Sequence, residues 1–235
     1  MDKILVERYL ALDPGKYLPD PQSALSGGHR LARSMSRFLP ASKEAAIVEL
    51  GCGNGSFLGA LKADGFRRTS GCDLCEPLVD YANHNGFSEV QHLGALEFLD
   101  TLTEPVDRIF MFDVIEHLEL DVAMAVMRKV LEKLTPGGMF IGSTPNGDCP
   151  FGFYYSVADL THRTIFTPRT FEFVAREVGF STVTTEAMYL PGRWTGRVDR
   201  LLKAIAYPFY ACQHYFFFFH WPPFINANML FCATR

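Results

Sequence analysis

The sequence carries little charge and never concentrates it. Charged residues are 20% of the 235, and the net charge is −4 with no block of one sign. That excludes a protein built to bind nucleic acid electrostatically. Long apolar runs are also missing. The strongest candidate, residues 201–224 with four phenylalanines at 216–219, is interrupted by Lys203, Pro208, Gln213 and His214. It is too short and too broken for a membrane-spanning helix. Cysteine is sparse and scattered, at 52, 72, 75, 149, 212 and 232. Cys72 and Cys75 form a lone C-x-x-C without the two further ligands of a zinc site, and no other His, Cys or carboxylate group has metal-ligand spacing, so no metal is expected. Met1-Asp2-Lys3-Ile4 leads into a mixed polar segment. The expectation is therefore no secretory leader, free thiols and a reducing cytoplasm. With 48% hydrophobic residues, the chain has enough apolar material for one globular domain, or one domain with an added lobe.

What is present is organised around residues 45–56. Ala45-Ala46-Ile47-Val48-Glu49-Leu50 is an apolar run closing on an acid, which predicts a strand covered on both faces. Gly51, Gly53 and Gly55 then occupy every second position. Glycine allows positive φ and close approach of a ligand to the backbone. Helical spacing begins at Ser56, so a polar ligand is expected at that helix N-terminus. The dinucleotide fingerprint Gly-x-Gly-x-x-Gly would need its third glycine at Ser56 and fails.

Further strands are predicted at 69–73, 89–93, 106–113 and 139–144, alternating with helices after Glu76-Pro77, at 95–99 and at 122–134. Asp73 ends the second strand about 20 residues after the glycine turn, the position of a ribose-hydroxyl acceptor in a nucleotide fold. Before this core, residues 1–28 hold Pro14, Gly15, Pro19, Pro21, Gly27 and Gly28. They predict an irregular arm with one short helix at 4–12. A helix at 30–39 follows, stopped by Pro40. Beyond the core, Thr167 is an N-cap with Pro168 at the first helical position, Gly179 ends that helix, and strands are predicted at 181–187 and 228–233.

Glu49-x-Gly51-x-Gly53-x-Gly55 resembles the first motif of the class I S-adenosylmethionine-dependent methyltransferases. Leu134-x-Pro136-Gly137-Gly138 is similar to the same family's turn before its fifth strand, and Asp113-x-x-Glu116-His117 to the loop after its fourth. The resemblance implies an α/β, Rossmann-like, doubly wound fold: a mostly parallel seven-stranded sheet, its last strand antiparallel, with helices on both faces. It divides the chain into an arm (1–44), a cofactor-binding core (45–144) and a substrate-side half (145–235) with an aromatic insertion at about 190–226. It implies S-adenosylmethionine as cofactor, held by Glu49, Gly51, Cys52, Gly53, Gly55, Asp73, Leu74, Ala95, Leu96, Asp113 and Val114. Gly94 stands where the family usually has an acid, which leaves backbone contacts at Ala95 and Leu96 for the adenine.

In the substrate half, Thr144-Pro145-Asn146, Asp159-x-Thr161-His162 and Phe166-Thr167-Pro168 are similar to a branch with many members in polysaccharide and lipopolysaccharide biosynthesis; the Glu-His loop also occurs in ubiquinone-type enzymes. This implies a small-molecule acceptor, a sugar hydroxyl first, with a quinol, a phenol or a lipid-linked glycan as alternatives. A hydroxyl acceptor calls for a base near neutral pKa. His162, with Asp159 three residues before it, is the first candidate and His117 the second; otherwise His162 only positions substrate or orders its loop. An aromatic loop at 151–155 would stack on a sugar face. The segment 201–224 either packs on the fold or on a second copy in a homodimer, or it meets lipid. A nicotinamide-dependent reductase and a non-catalytic binder on the same fold are the rival readings, and the glycine spacing and intact Glu49 and Asp73 oppose them.

Overall fold

A computed structural model describes residues 14–188 and 226–235, together with 201, 205, 207–212, 215, 223 and 224. The helix expected at 4–12 and most of the insertion, including 216–219, lie outside the described residues. The centre is a seven-stranded sheet ordered β3-β2-β1-β4-β5-β7-β6. Its strands are β1 (Ala46–Leu50), β2 (Arg68–Asp73), β3 (Glu89–His92), β4 (Val106–Phe112), β5 (Leu134–Pro145), β6 (Thr182–Ala187) and β7 (Asn228–Thr234). The first five run parallel, and β7 inserts antiparallel between β5 and β6. This is the expected Rossmann-like sheet.

Strand parity explains why both faces are covered. Ala46, Val48 and Leu50 face one core with Phe98, Val126, Met127 and Phe171. Those residues come from α4 (Ala95–Thr101), α5 (Leu120–Lys133) and α7 (Pro168–Val178). Ile47 faces the other core with Met35, Phe57, Leu61, Phe110 and Ile141. There α1 (Pro21–Ser34) and α2 (Ser56–Ala63) pack, while α3 (Glu76–His84) covers the β2–β3 edge. Glu49 alternates with Val48 onto Ile47's side, so its burial follows from the pleat.

Three expectations are corrected here. The helix placed at 30–39 is α1, which starts earlier, at Pro21, and stops at Ser34, followed by a 3₁₀ turn at Ser36–Phe38. Asp20 caps it by accepting from the Ser23 N–H at 3.0 Å. Gly27 and Gly28 read as breakers, yet the helix runs through them. A Cβ on Gly28 would lie 1.9 Å from the Ser56 carbonyl oxygen, so glycine there lets α1 cross the start of α2. Likewise the aromatic loop at 151–155 belongs to a helix, α6 (Pro150–Ala158), with Pro150 at its start. Strand β5 also begins earlier than expected. Leu134 pairs with Val106, and the ladder shifts register before Met139 pairs with Arg108; Pro136, Gly137 and Gly138 fill that irregularity. The cap at Thr167, accepting from the Thr170 N–H, and the left-handed Gly179 at φ 115° are as expected.

Candidate active site

Two sets of groups meet at the carboxyl edge of the parallel strands, astride β1 and β4, where the strand order reverses and ligands bind in such sheets. The first is the glycine turn. Gly51, Gly53 and Gly55 have φ of 72°, 53° and 71°, each in the left-handed region that favours glycine. Their surroundings differ. A Cβ on Gly51 would lie 2.4 Å from Val114 Cγ2, and one on Gly55 would lie 2.7 Å from the Ala82 Cβ. One on Gly53 would meet no protein atom within 4 Å. Gly51 and Gly55 are thus packing glycines, whereas Gly53 faces open space.

That space is a cavity of about 260 Å³ whose lining includes Tyr17, Glu49, Gly51, Gly53, Asn54 and Phe112. Glu49 is 4% exposed, and its Oε2 has no hydrogen-bond partner. Burial, and then the neighbouring Asp73 carboxylate, hold its pKa well above the usual carboxylate value. An orphaned buried acid facing a cavity is a site for a cationic or hydrogen-bond-donating ligand group. Asp73 is already engaged: Oδ2 accepts from the Gly53 N–H and Oδ1 from the Cys75 N–H, each at 2.8 Å. Each oxygen keeps a further lone pair. The carboxylate therefore shapes the glycine turn as well as facing outward. The arm closes the rim. Asn54 Nδ2 donates to the Tyr17 carbonyl at 2.9 Å, and the Tyr81 hydroxyl to that of Pro19 at 2.6 Å. Leu74 is 37% exposed, Ala95 and Leu96 are half-buried, and Cys52 is buried with a thiol pKa pushed up by desolvation. A larger cleft of about 400 Å³ lies at the opposite end of the strands. Its Arg67 and Arg68 are paired with Glu44 and Glu104.

The second set follows β4. Asp113 has φ 51°, a conformation that Asp tolerates better than most residues, and it turns the chain sharply. Ser143 on β5 donates to its Oδ1 at 2.8 Å. The turn Ile115–His117 then folds inward. The Glu116 carbonyl accepts from the Arg163 and Thr164 N–H groups at 2.8 and 3.0 Å, and the Thr164 hydroxyl donates to the Leu118 carbonyl at 2.7 Å. These bonds stitch 116–118 to 163–164 and carry His162 to His117. The two rings meet edge to face with centroids 4.6 Å apart.

Hydrogen bonds fix how these rings are oriented. Thr161 Oγ1 donates to Asp159 Oδ1 at 2.6 Å, because the carboxylate only accepts. Having one proton, that hydroxyl must accept from His117 Nδ1, 2.8 Å away. His162 Nδ1 lies 3.1 Å from the Ser156 carbonyl and donates to it. Both rings therefore keep the lone pair on Nε2. Burial, and then His162, lower the His117 pKa. Glu116 is 3% exposed with Oε2 unpartnered, and burial, with Asp113 next, pushes its pKa to about 8. The sequence reading paired Asp159 with His162 by spacing; the folded chain joins Asp159 to His117 through Thr161. Glu116, beside His117 in the loop after the fourth strand, joins the site, whereas Thr161 and Ser156 were missed as site residues. Glu116 sits in a recognisable motif, but only the fold reveals the part Thr161 and Ser156 play.

A profile of the methyltransferase domain matches residues 24–185. Solved structures share the fold. An S-adenosylmethionine-dependent methyltransferase from Archaeoglobus fulgidus has 17% identity and a TM-score of 0.70, covering 97% of this chain and 99% of that one. One from Mesorhizobium loti has 19% identity and a TM-score of 0.61, covering 90% and 100%. A phosphoethanolamine N-methyltransferase from Haemonchus contortus, solved with S-adenosylhomocysteine, has 18% identity and a TM-score of 0.60, covering 87% of this chain and 51% of that one. No curated sequence is similar enough to count as a relative. The glycine turn, the orphaned acid above it and the domain match together place the chain in the methyltransferase-domain family, as a class I methyltransferase that uses S-adenosylmethionine.

Proposed function

We propose that the protein transfers the methyl group to a hydroxyl of a small molecule, with a sugar or glycan-like acceptor first among them. The observation that carries this is the convergence of Glu116, His117 and His162, each with an uncommitted ligand or base atom, beside Val114, which lies against Gly51. In this reading Glu49 receives the cofactor's ammonium group and Asp73 its ribose hydroxyls. Gly51, Cys52, Gly53 and Gly55 give the backbone that the cofactor lies on. Leu74, Ala95 and Leu96 border its base, and Asp113 and Val114 separate it from the acceptor. The sulfonium supplies an activated methyl group, so the protein's part is to align the acceptor and remove its proton. Removing that proton is the work of the His117–His162–Glu116 group. Phe153, Tyr154 and Tyr155 on α6 are half or more exposed, on the helix whose Ser156 carbonyl holds His162. They offer apolar faces to a sugar ring, or to the lipid of a lipid-linked acceptor.

The test is a screen of purified protein against free sugars, lipid-linked glycans, quinols and phenols, followed by variants. With a hydroxyl acceptor, His162→Ala and His117→Ala should each lower kcat by about 10²–10⁴-fold, with cofactor affinity unchanged. Near-normal kcat in both variants would leave positioning alone as the mechanism.

A further inference from the structure

The same three residues carry more than a proton acceptor needs. One donor atom from each of Glu116, His117 and His162 lies within 4.8 Å of the other two. Glu116 Oε2 is buried and has no partner. Each imidazole has its Nδ1 proton committed outward, to the Ser156 carbonyl and to Thr161, which is itself anchored on Asp159. Metal-ligating histidines have this arrangement, in which an outer partner fixes the tautomer and points the bare nitrogen at the ion. A lone general base needs one such ring.

We infer that Glu116, His117 and His162 form a site for a divalent first-row transition cation, a two-histidine, one-carboxylate set with open positions for the acceptor. Two imidazole ligands favour zinc, iron or cobalt over magnesium or calcium, which prefer oxygen. Ligands about 2.1 Å from a tetrahedral ion stand roughly 3.4 Å apart, so the three atoms need draw in by no more than roughly 1.4 Å. Spacing along the chain does not bring these ligands together, since Glu116 and His117 are adjacent and the third ligand, His162, comes from beyond β5.

The chemical consequence rests on the hydroxyl-acceptor reading above; cation binding does not. With the ion in place, the acceptor hydroxyl oxygen occupies an open position and loses its proton to water more readily. Its electron pair then forms the new O–CH₃ bond as the S–CH₃ bond breaks, leaving a neutral thioether. The histidines act here as ligands. Thr161 is a positioning residue, acting through His117.

The test uses the full chain carrying Cys212→Ser, because Cys212 is the exposed thiol among the six cysteines. The protein is stripped with a chelator and titrated with Co²⁺, followed by visible absorption and calorimetry, with Zn²⁺ as competitor. One Co²⁺ per chain is expected. His162→Ala, His117→Ala and Glu116→Gln should abolish tight binding, and Thr161→Val should weaken it about 10–100-fold. S-adenosylhomocysteine affinity, measured in parallel, shows that each variant is folded. The inference is overturned if the parent binds no Co²⁺ or Zn²⁺ tighter than millimolar, or if the variants bind as the parent does. If the stripped enzyme methylates a hydroxyl at full rate while the histidine variants are slow, the imidazoles are bases and the cation's part in the chemistry is refuted, whereas the site itself is decided by the Co²⁺ titration. If Co²⁺ binds as described and no hydroxyl is methylated, the site stands and the acceptor reading falls.

Discussion

Glu49 illustrates how one residue can work against the stability of its own fold. It is buried without a partner for Oε2, and its pKa is raised well above 4.5. For an acid, a raised folded pKa means that the folded protein holds a proton the unfolded chain releases. Its stabilising contribution is complete below about pH 4.5 and is lost as pH rises towards the folded pKa. Without cofactor, Glu49→Gln should therefore melt higher than the parent at pH 7 and lose less stability between pH 5 and 8. It should also bind S-adenosylmethionine more weakly, by about 10-fold or more, since a charge-assisted contact is lost. A variant that melted lower than the parent at every pH would show that the acid has a structural partner. Gly53 gives the complementary case. Valine there adds left-handed strain of about 1–2 kcal/mol, but its Cβ would meet no protein atom within 4 Å. Gly53→Val should stay folded and lose cofactor affinity by calorimetry. Gly51→Val should fail to fold, because its side chain would enter Val114.

At the scale of elements, capping and pleat are written locally, so much was legible before folding. Thr167-Pro168 starts α7, Gly179 stops it, and alternation through β1 tells which residues face which core. The misreadings occur where a distant neighbour overrides a local preference. Glycine inside a helix costs about 1 kcal/mol against alanine, which made Gly27 and Gly28 look like an interruption. The cost is borne at Gly28 because the Ser56 carbonyl leaves no room for a methyl group. Gly28→Ala should accordingly destabilise the protein by about 1–3 kcal/mol despite its better helix propensity, as a lowered denaturation midpoint with an unchanged m-value. Gly152 in α6 is required for the same kind of reason: a Cβ there would sit 2.2 Å from the Asn146 carbonyl oxygen and 2.5 Å from that of Ala227. If the aromatic face of α6 receives the acceptor, Phe153→Ser and Tyr154→Ser should raise its KM several-fold with kcat little changed. A fall in kcat alone would take α6 out of acceptor binding.

For the whole molecule, the cavity at the glycine turn was legible in large part because Glu49, Gly51, Gly53 and Asn54, which line it, follow one another in the sequence, whereas Tyr17 and Phe112 reach it only through the fold. The acceptor side was not, because its groups come from two separate stretches, 113–117 and 159–162: Thr161 meets His117 across 44 positions, through a turn set by one left-handed aspartate. No described helix is long and apolar enough to cross a membrane. The two halves of the site should therefore respond separately to ligand. A ligand that binds only the folded state at 100 times its Kd adds about 2.7 kcal/mol. In a chain of this length that is a rise of roughly 5–10 °C in Tm. S-adenosylhomocysteine should produce that rise in the parent and, undiminished, in His117→Ala and His162→Ala. It should produce none in Gly53→Val at the same ligand concentration. Thermal shift across these proteins decides the point, because a histidine variant without the rise would mean that the His117–His162 cluster supports the cofactor cavity itself, and its loss of activity could then no longer be assigned to deprotonation of the acceptor.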